Sequence, residues 1–424
     1  MKSSIPSDAS WVEVPPDSDF SIHNIPFGIF RTQEASVQAG VAIGEYVLDL
    51  NQLHAAGYFN TLDLPPAIFN QSSLNAFLAL GRDAITSVRK RVIELLSRDN
   101  DELQRDKDLV NRARIRQSEV LMLRPVDVRN YSDFYSSEEH ARNVGSMFRD
   151  PKNALLPNWK HLPVGYHGRA SSIYVSGTNI YRPNGQVKKP DQDNPVFGPS
   201  EKLDFELETA FVTCRETRQG DCITVAASEE VIAGFVLFND WSARDIQQWE
   251  YVPLGPFLGK NFASSVSPWL VTLDALEPFR SEGPIQEPEV LPYLRAGGKR
   301  NFDIVLEATI QMRSGEEVVI CRTNMKYLYW SIHQQLAHHT INGCSIQVGD
   351  MYASGTISGP SPGSYGSLLE LSWNGKKPLT MPDGTVRTFL EDGDSIILRA
   401  HASKGGIRVG FGECRGTILP PLNY

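Results

Sequence analysis

The sequence lacks any apolar run approaching the roughly 20 residues that cross a bilayer, so no spanning helix is expected. Its opening residues, Met1-Lys2-Ser3-Ser4-Ile5-Pro6-Ser7-Asp8, carry no apolar core of a secretory signal. Cysteine is scarce: Cys214, Cys222, Cys321, Cys344 and Cys414 are odd in number, widely spread and free of any C-x-x-C pair. That spacing argues against a zinc site and for a reducing compartment, here expected to be the cytoplasm. Basic residues are outnumbered, 41 Lys and Arg against 50 Asp and Glu, for a net charge of -9. With no basic block to replace counterions on phosphates, a nucleic-acid surface is excluded. An acidic chain can still bind an acidic substrate if a cation or local arginines reverse the field. Internal repeats and low-complexity tracts are absent as well.

What remains is a chain of 424 residues with ordinary soluble composition, 41% hydrophobic and 21% charged, longer than one hydrophobic core usually extends. Two domains are therefore expected, with a change of texture near Val120. Before it, Phe27 to Arg31, Gln38 to Gly44 and Glu45 to Leu50 read as short strands punctuated by glycine, a small barrel or sheet. Ser73 to Leu96 has helical periodicity, and Asp99 to Arg116 is charge-dense, an exposed helix or loop. After it come short strands, Gly/Pro turns and long connections. Pro183 to Pro199 reads as a loop, and the glycines of Ser354 to Gly366 suit a tight loop whose backbone approaches a ligand closely.

The informative segments are acidic. Asp133-Phe134-Tyr135-Ser136-Ser137-Glu138-Glu139-His140 sets carboxylates and a lone histidine together. In Leu203-Asp204-Phe205-Glu206-Leu207-Glu208-Thr209-Ala210-Phe211, apolar and acidic residues alternate as in a strand. Glu206 and Glu208 would then project from one face roughly 6.6 Å apart. An edge strand with a wet face explains that pattern alone. Two ionised carboxylates so close also suit a hard divalent cation, which takes oxygen ligands. Downstream, Val231 to Phe238 is a continuous apolar run of buried-strand length that stops at Asn239-Asp240. If Trp241 to Tyr251 is a helix, Asp240, Arg244, Gln247 and Tyr251 share one stripe, a poor packing surface but a good wall for an oxygen-rich ligand.

Several longer strings narrow the reading. Asp133-Phe134-Tyr135-Ser136-Ser137, Leu155-Leu156-Pro157-Asn158-Trp159, Leu162-Pro163-Val164-Gly165-Tyr166-His167-Gly168-Arg169-Ala170-Ser171-Ser172, Asn239 to Gln247 and Ser354 to Pro360 resemble the fumarylacetoacetase family. The match runs in order from Ile25-Pro26-Phe27-Gly28 to the end. The resemblance implies a mainly β protein with α+β elements: a small N-terminal SH3-like barrel in residues 1–120, then a larger mixed β-sandwich or roll catalytic domain in residues 121–424. It also implies a homodimer.

Asp133, Glu206, Glu208 and Asp240 are four carboxylates from separate segments, suited to Ca²⁺ or Mg²⁺, and by resemblance they are the metal ligands. His140 is the best candidate general base from its ordinary titration range, and the resemblance makes Glu370 its orienting partner. Arg244, Gln247 and Lys260 are donors that could surround an oxyanion. The family adds a second cation near Asp240, Lys260 and Ser264, although Ala263 and Ser264 stand where it usually has Gly and Thr. Substrate contacts are implied for Tyr135, Arg149, Tyr166, Gln247, Tyr251 and Thr356. The expected activity is hydrolysis of 4-fumarylacetoacetate to fumarate and acetoacetate, without organic cofactor, nucleic acid or membrane. The rivals are an acylpyruvate hydrolase or decarboxylase of the same superfamily and a catalytically silent metal-binding scaffold.

Overall fold

The computed structural model describes residues 10–32, 36–189 and 191–423; the Met1 to Asp8 segment and Pro190 lie outside them. Among the described residues the protein is mainly β with a few helices, and no helix is long and apolar enough to cross a membrane. The apolar run from Val231 becomes the strand Ile232–Asp240, buried at every residue. It pairs antiparallel with Leu207–Thr213 on one side and with Ser264–Val266 and Trp269–Thr272 on the other. Side chains alternate across a strand, so Phe235 and Leu237 enter one core while Val236 and Phe238 enter a second.

The first core lies against a five-stranded sheet of Glu317–Asn324, Val305–Gln311, Ser395–Lys404, Ile407–Leu419 and Ile180–Tyr181. In the second, Phe27, Ile29, Val88 and Val92 reach across from the N-terminal residues. Each buried Val, Leu or Phe contributes about 1.5–3 kcal/mol, so a strand filled on both faces is held rigidly. Its far end, Asp240, inherits that rigidity. Met351–Ala353 extends the central sheet beyond Leu207–Thr213, followed by Tyr131–Phe134 and Gly165–His167.

The strands Phe27–Arg31, Val37–Ile43 and Tyr46–Asp49 form where glycine punctuation predicts them and pair in sequence order. Arg114–Arg116 adds to one end of that run and Leu121–Leu123 to the other. No pairing joins the two ends among the described residues, so the expected SH3-like barrel is not seen as a closed ring. Instead Phe27 and Gly28 pair with Leu270 and Trp269, committing that edge to the central sheet. A Cβ on Gly28 would stand 2.6 Å from the Trp269 ring, so glycine is what lets the two strands meet.

Three local expectations are corrected. The Ser73 to Leu96 helix is two, Asn75–Leu78 and Arg82–Leu96, broken at Gly81 with φ +86°, a value glycine takes at no steric cost. The Pro183 to Pro199 loop contains a hairpin of Asn184–Val187 and Val196–Pro199, with Pro183 just outside it and Pro199 at its outer end. Leu207–Thr213 lies between two strands and is buried throughout, so the wet edge strand is ruled out. Strand geometry also lapses at Phe205 and Glu206, between Leu203–Asp204 and Leu207–Thr213.

Candidate active site

Four strand ends and bends deliver carboxylates to one point. Asp133 belongs to Tyr131–Phe134, Glu208 to Leu207–Thr213 and Asp240 to the end of Ile232–Asp240. Glu206 occupies the irregular step before Leu207, where its backbone N–H donates to the Asn239 side-chain oxygen at 3.1 Å. All four are buried, and each offers an oxygen within 4.8 Å of the others. The alternation drawn from the sequence predicted the convergence of Glu206 and Glu208, although only Glu208 is in a regular strand.

The four are not equivalent. Glu206 accepts Arg244 Nη1 at 2.7 Å and Lys260 Nζ at 2.8 Å. Burial works to raise its pKa, but those two cations prevail and hold it well below the carboxylate range. Asp240 accepts Lys260 Nζ and the Tyr166 hydroxyl, each at 2.7 Å, and Ser264 Oγ at 3.0 Å. Lys260 is kept protonated against its own burial by Asp240 and Glu206. Among the described residues Asp133 and Glu208 form no ion pair. Burial first and Asp240 second push Asp133 well above its ordinary range; burial and then Asp133 do the same to Glu208. Asp133 Oδ1 and Glu208 Oε1 are buried without a hydrogen-bond partner. Two orphaned, mutually repelling oxygens in an all-oxygen nest fit a hard divalent cation.

Beside the nest lies a histidine–carboxylate pair. His140 is in the first turn of Glu138–Phe148, whose N-cap Ser137 accepts the His140 backbone N–H at 3.2 Å. Its Nδ1 is 2.7 Å from Glu370 Oε2, and both side chains are buried. Glu370 also accepts Asn143 Nδ2 at 2.9 Å, Ser358 Oγ at 2.9 Å and Ser367 Oγ at 2.8 Å. Burial raises its pKa, yet His140 and these donors outweigh it and keep the carboxyl below its usual range. Such a carboxylate fixes the tautomer with the proton on Nδ1, leaving Nε2 as the basic nitrogen. The Tyr135 ring stands edge-on to the imidazole at 5.2 Å.

Donors surround this space. Arg244 Nη2 and the Thr356 hydroxyl are buried and unpartnered, as groups reserved for a ligand would be. Gln247 is half-buried, its Oε1 3.5 Å from Arg244 Nη1. Gly355 donates its N–H to Glu208 Oε2 at 2.9 Å from φ +75°, with a Cβ position 2.1 Å from the Phe134 carbonyl oxygen, so its close approach is to the protein's own backbone. A cavity of about 150 Å³ opens beside Tyr166, Asp240, Phe257 and Lys260.

Two other expected groups are more exposed. Arg149 is exposed and donates to the Ala154 carbonyl at 2.7 Å. Tyr251 is half-exposed at the C-terminal end of Arg244–Glu250, with no hydrogen bond to the nest among the described residues. The four-residue helical stripe is therefore corrected: Asp240 ends a strand, and the helix begins only at Arg244. The side chains of Lys260 and Ser264, expected near a second cation, both donate to Asp240, and an ammonium has no lone pair to offer a metal. Asn143, Ser358 and Ser367 were missed, as was Tyr131, whose hydroxyl donates to Asp133 at 2.6 Å. Isolated polar residues, whether in a helix like Asn143 or beside a turn like Ser367, carry little sequence signal. Only the lone acid in Leu203-Asp204-Phe205 could have drawn attention to Asp204, which pairs with Arg244 Nε at 2.9 Å.

Comparison with known proteins agrees with this architecture. Residues 129–419 match the family described as fumarylacetoacetate (FAA) hydrolase, C-terminal, and residues 23–125 match fumarylacetoacetase, N-terminal. The fumarylacetoacetase of Caenorhabditis elegans is 51% identical over 97% of this chain and 99% of its own length. That of Arabidopsis thaliana is 50% identical over 97% and 98%, and that of Homo sapiens 49% over 97% and 99%. The fold resembles that of a fumarylacetoacetate hydrolase from psychrophilic Exiguobacterium antarcticum, with a TM-score of 0.53 at 16% identity over 93% of this chain and 99% of that one. The chain belongs to the fumarylacetoacetate hydrolase family.

Proposed function

We propose that the protein hydrolyses the carbon–carbon bond of 4-fumarylacetoacetate, giving fumarate and acetoacetate, as the last step of tyrosine and phenylalanine breakdown. The observation that carries this reading is the buried His140–Glu370 pair beside the four-carboxylate nest. Asp133, Glu206, Glu208 and Asp240 would hold Ca²⁺ or Mg²⁺, a Lewis acid able to polarise the two oxygens of a 1,3-diketone. His140 Nε2 takes a proton from water while Glu370 stabilises the imidazolium. Hydroxide adds to the carbonyl on the fumaryl side. Arg244 Nη2, with Gln247 near it, donates to the resulting oxyanion. Its collapse forms the fumarate carboxyl group and breaks the bond to the adjacent methylene, whose electron pair leaves as the acetoacetate carbanion. Lys260 supports that negative charge, and a proton completes the methyl group.

Tyr135, Tyr166, Gln247 and Thr356 would contact substrate from where they stand; Arg149 and Tyr251 would have to turn inward. Residues 1–120 are read as a structural unit and 121–424 as the catalytic one, in a cytoplasmic homodimer. The deciding experiment follows the absorbance of fumarylacetoacetate with and without chelator. Loss of absorbance that stops on chelation and returns with Mg²⁺ or Ca²⁺ is expected, and a stable substrate would overturn the reading.

A further inference from the structure

We infer that Asp204 is a positioning residue that aims Arg244 into the site and locks it to the turn carrying Glu370, an inference that rests on the proposed role of Arg244. The Asp204 carboxylate is fully buried, and four donors converge on it. Oδ1 accepts the backbone N–H of Leu368 at 2.7 Å and of Phe205 at 2.8 Å. Oδ2 accepts the Leu369 N–H at 3.0 Å and Arg244 Nε–H at 2.9 Å. Leu368 and Leu369 open the short turn Leu368–Leu371 that holds Glu370. One carboxylate thus ties the arginine to the histidine's partner.

The geometry at Arg244 makes this more than a packing contact. A guanidinium is a rigid planar fork. Asp204 takes its Nε and Glu206 its Nη1, so the direction of the free, buried Nη2 is fixed by the pair. Glu206 alone would leave the fork free to swing about one hydrogen bond. The backbone repeats the tie: Asp204 pairs with Ser242, and the Arg244 N–H donates to the Lys202 carbonyl at 3.0 Å. A neutral acceptor would serve Leu368 and Phe205 equally well, whereas only a carboxylate presents a second acceptor oxygen to Leu369 and Arg244 together.

The test is a double-mutant cycle in the full-length protein with Mg²⁺, combining Asp204→Asn with Arg244→Ala. The asparagine keeps Oδ1 for Leu368 and Phe205 but turns an amide N–H toward Arg244 Nε and the Leu369 N–H. Asp204→Asn is expected to lower kcat by about 10- to 100-fold, the range of residues that orient a site's direct ligands, with KM and calorimetric Ca²⁺ affinity little changed. On the Arg244→Ala background the same change should cost clearly less, because only the Leu369 contact remains for it to disturb. A wild-type kcat, or an equal loss on both backgrounds, overturns the inference. Asp204→Glu, which keeps the charge, is read the same way if the asparagine variant does not fold. If neither folds while Arg244→Ala does, Asp204 serves the fold alone and the inference falls. An inactive wild type faults the proposed reaction, whereas an active wild type with an additive cycle faults the role of Asp204.

Discussion

His140 Nδ1 lies 2.7 Å from Glu370 Oε2 although 230 positions of chain separate them. Ser137 helps to close that gap. It caps the His140 helix through its hydroxyl, which also donates to the Ser358 carbonyl, and Ser358 in turn donates to Glu370. The base and its partner are thus attached to the same short loop, and their separation is set by backbone rather than by two free side chains.

If His140 activates water, His140→Ala lowers kcat by roughly 10²- to 10⁴-fold with a smaller change in KM. Steady-state kinetics on fumarylacetoacetate decide this, and a wild-type kcat would remove His140 from the mechanism.

Glu370→Gln keeps the shape of the partner but not its charge. The Glu370 pKa is depressed chiefly because His140 and its hydrogen-bond donors overcome burial, so the native site stabilises the carboxylate. The glutamine variant should be slower at every pH, though less impaired than His140→Ala. A pH–rate profile that overlays the wild type in height and midpoint would show that His140 is oriented by something else.

Asp240→Ala removes one oxygen ligand and leaves Lys260 without one of its two carboxylates. Calorimetric titration with Ca²⁺ and Mg²⁺ should then show no binding, and turnover should vanish in a protein that remains folded. In the wild type, cation at 100 times its Kd should add about 2.7 kcal/mol of stability by mass action, read as a rise in Tm that the variant lacks. Undiminished affinity would take Asp240 out of the ligand set.

His333 gives the fold an acid limit. Its imidazole is buried with Nδ1 2.8 Å from Ser228 Oγ, and burial, followed by Arg280, pushes its pKa down to about 4. A depressed histidine favours the neutral form in the folded state, so the stability is present above the unfolded pKa of 6.5 and is lost as pH falls toward 4. The loss from this one group is of order 3 kcal/mol at most. Urea unfolding of wild type and His333→Gln at the two ends of that window should give the variant the shallower decline; parallel declines would refute it.

How legible the site was depended on the range of the interactions. The alternation drew attention to Glu206 and Glu208 and the unbroken run to Asp240, while the grouping of all four carboxylates, Asp133 included, as ligands came from the family resemblance. The helical stripe failed at Asp240 because the strand, filled on both faces, carries on two residues past Phe238 before the chain turns. Among the described residues no closed SH3-like ring is seen; Phe27 and Gly28 pair instead with strand residues some 240 positions away, a choice no local pattern encodes. Asn143 and Asp204 act through hydrogen bonds to residues far away in the sequence, and such contacts have no period to read.

The burial of Ile232–Asp240 on both faces also dictates how the protein opens. Amides in a strand with no solvent-facing edge exchange with deuterium only when the whole domain unfolds, whereas exposed loops fray independently. Glu208 and Asp240 sit on that last-to-melt region, and Lys260 is tied to it by ion pairing. Sub-global opening that spares these strands therefore leaves Glu208, Asp240 and Lys260 together, and amide exchange at Glu208 and Asp240 should track the last cooperative unfolding step.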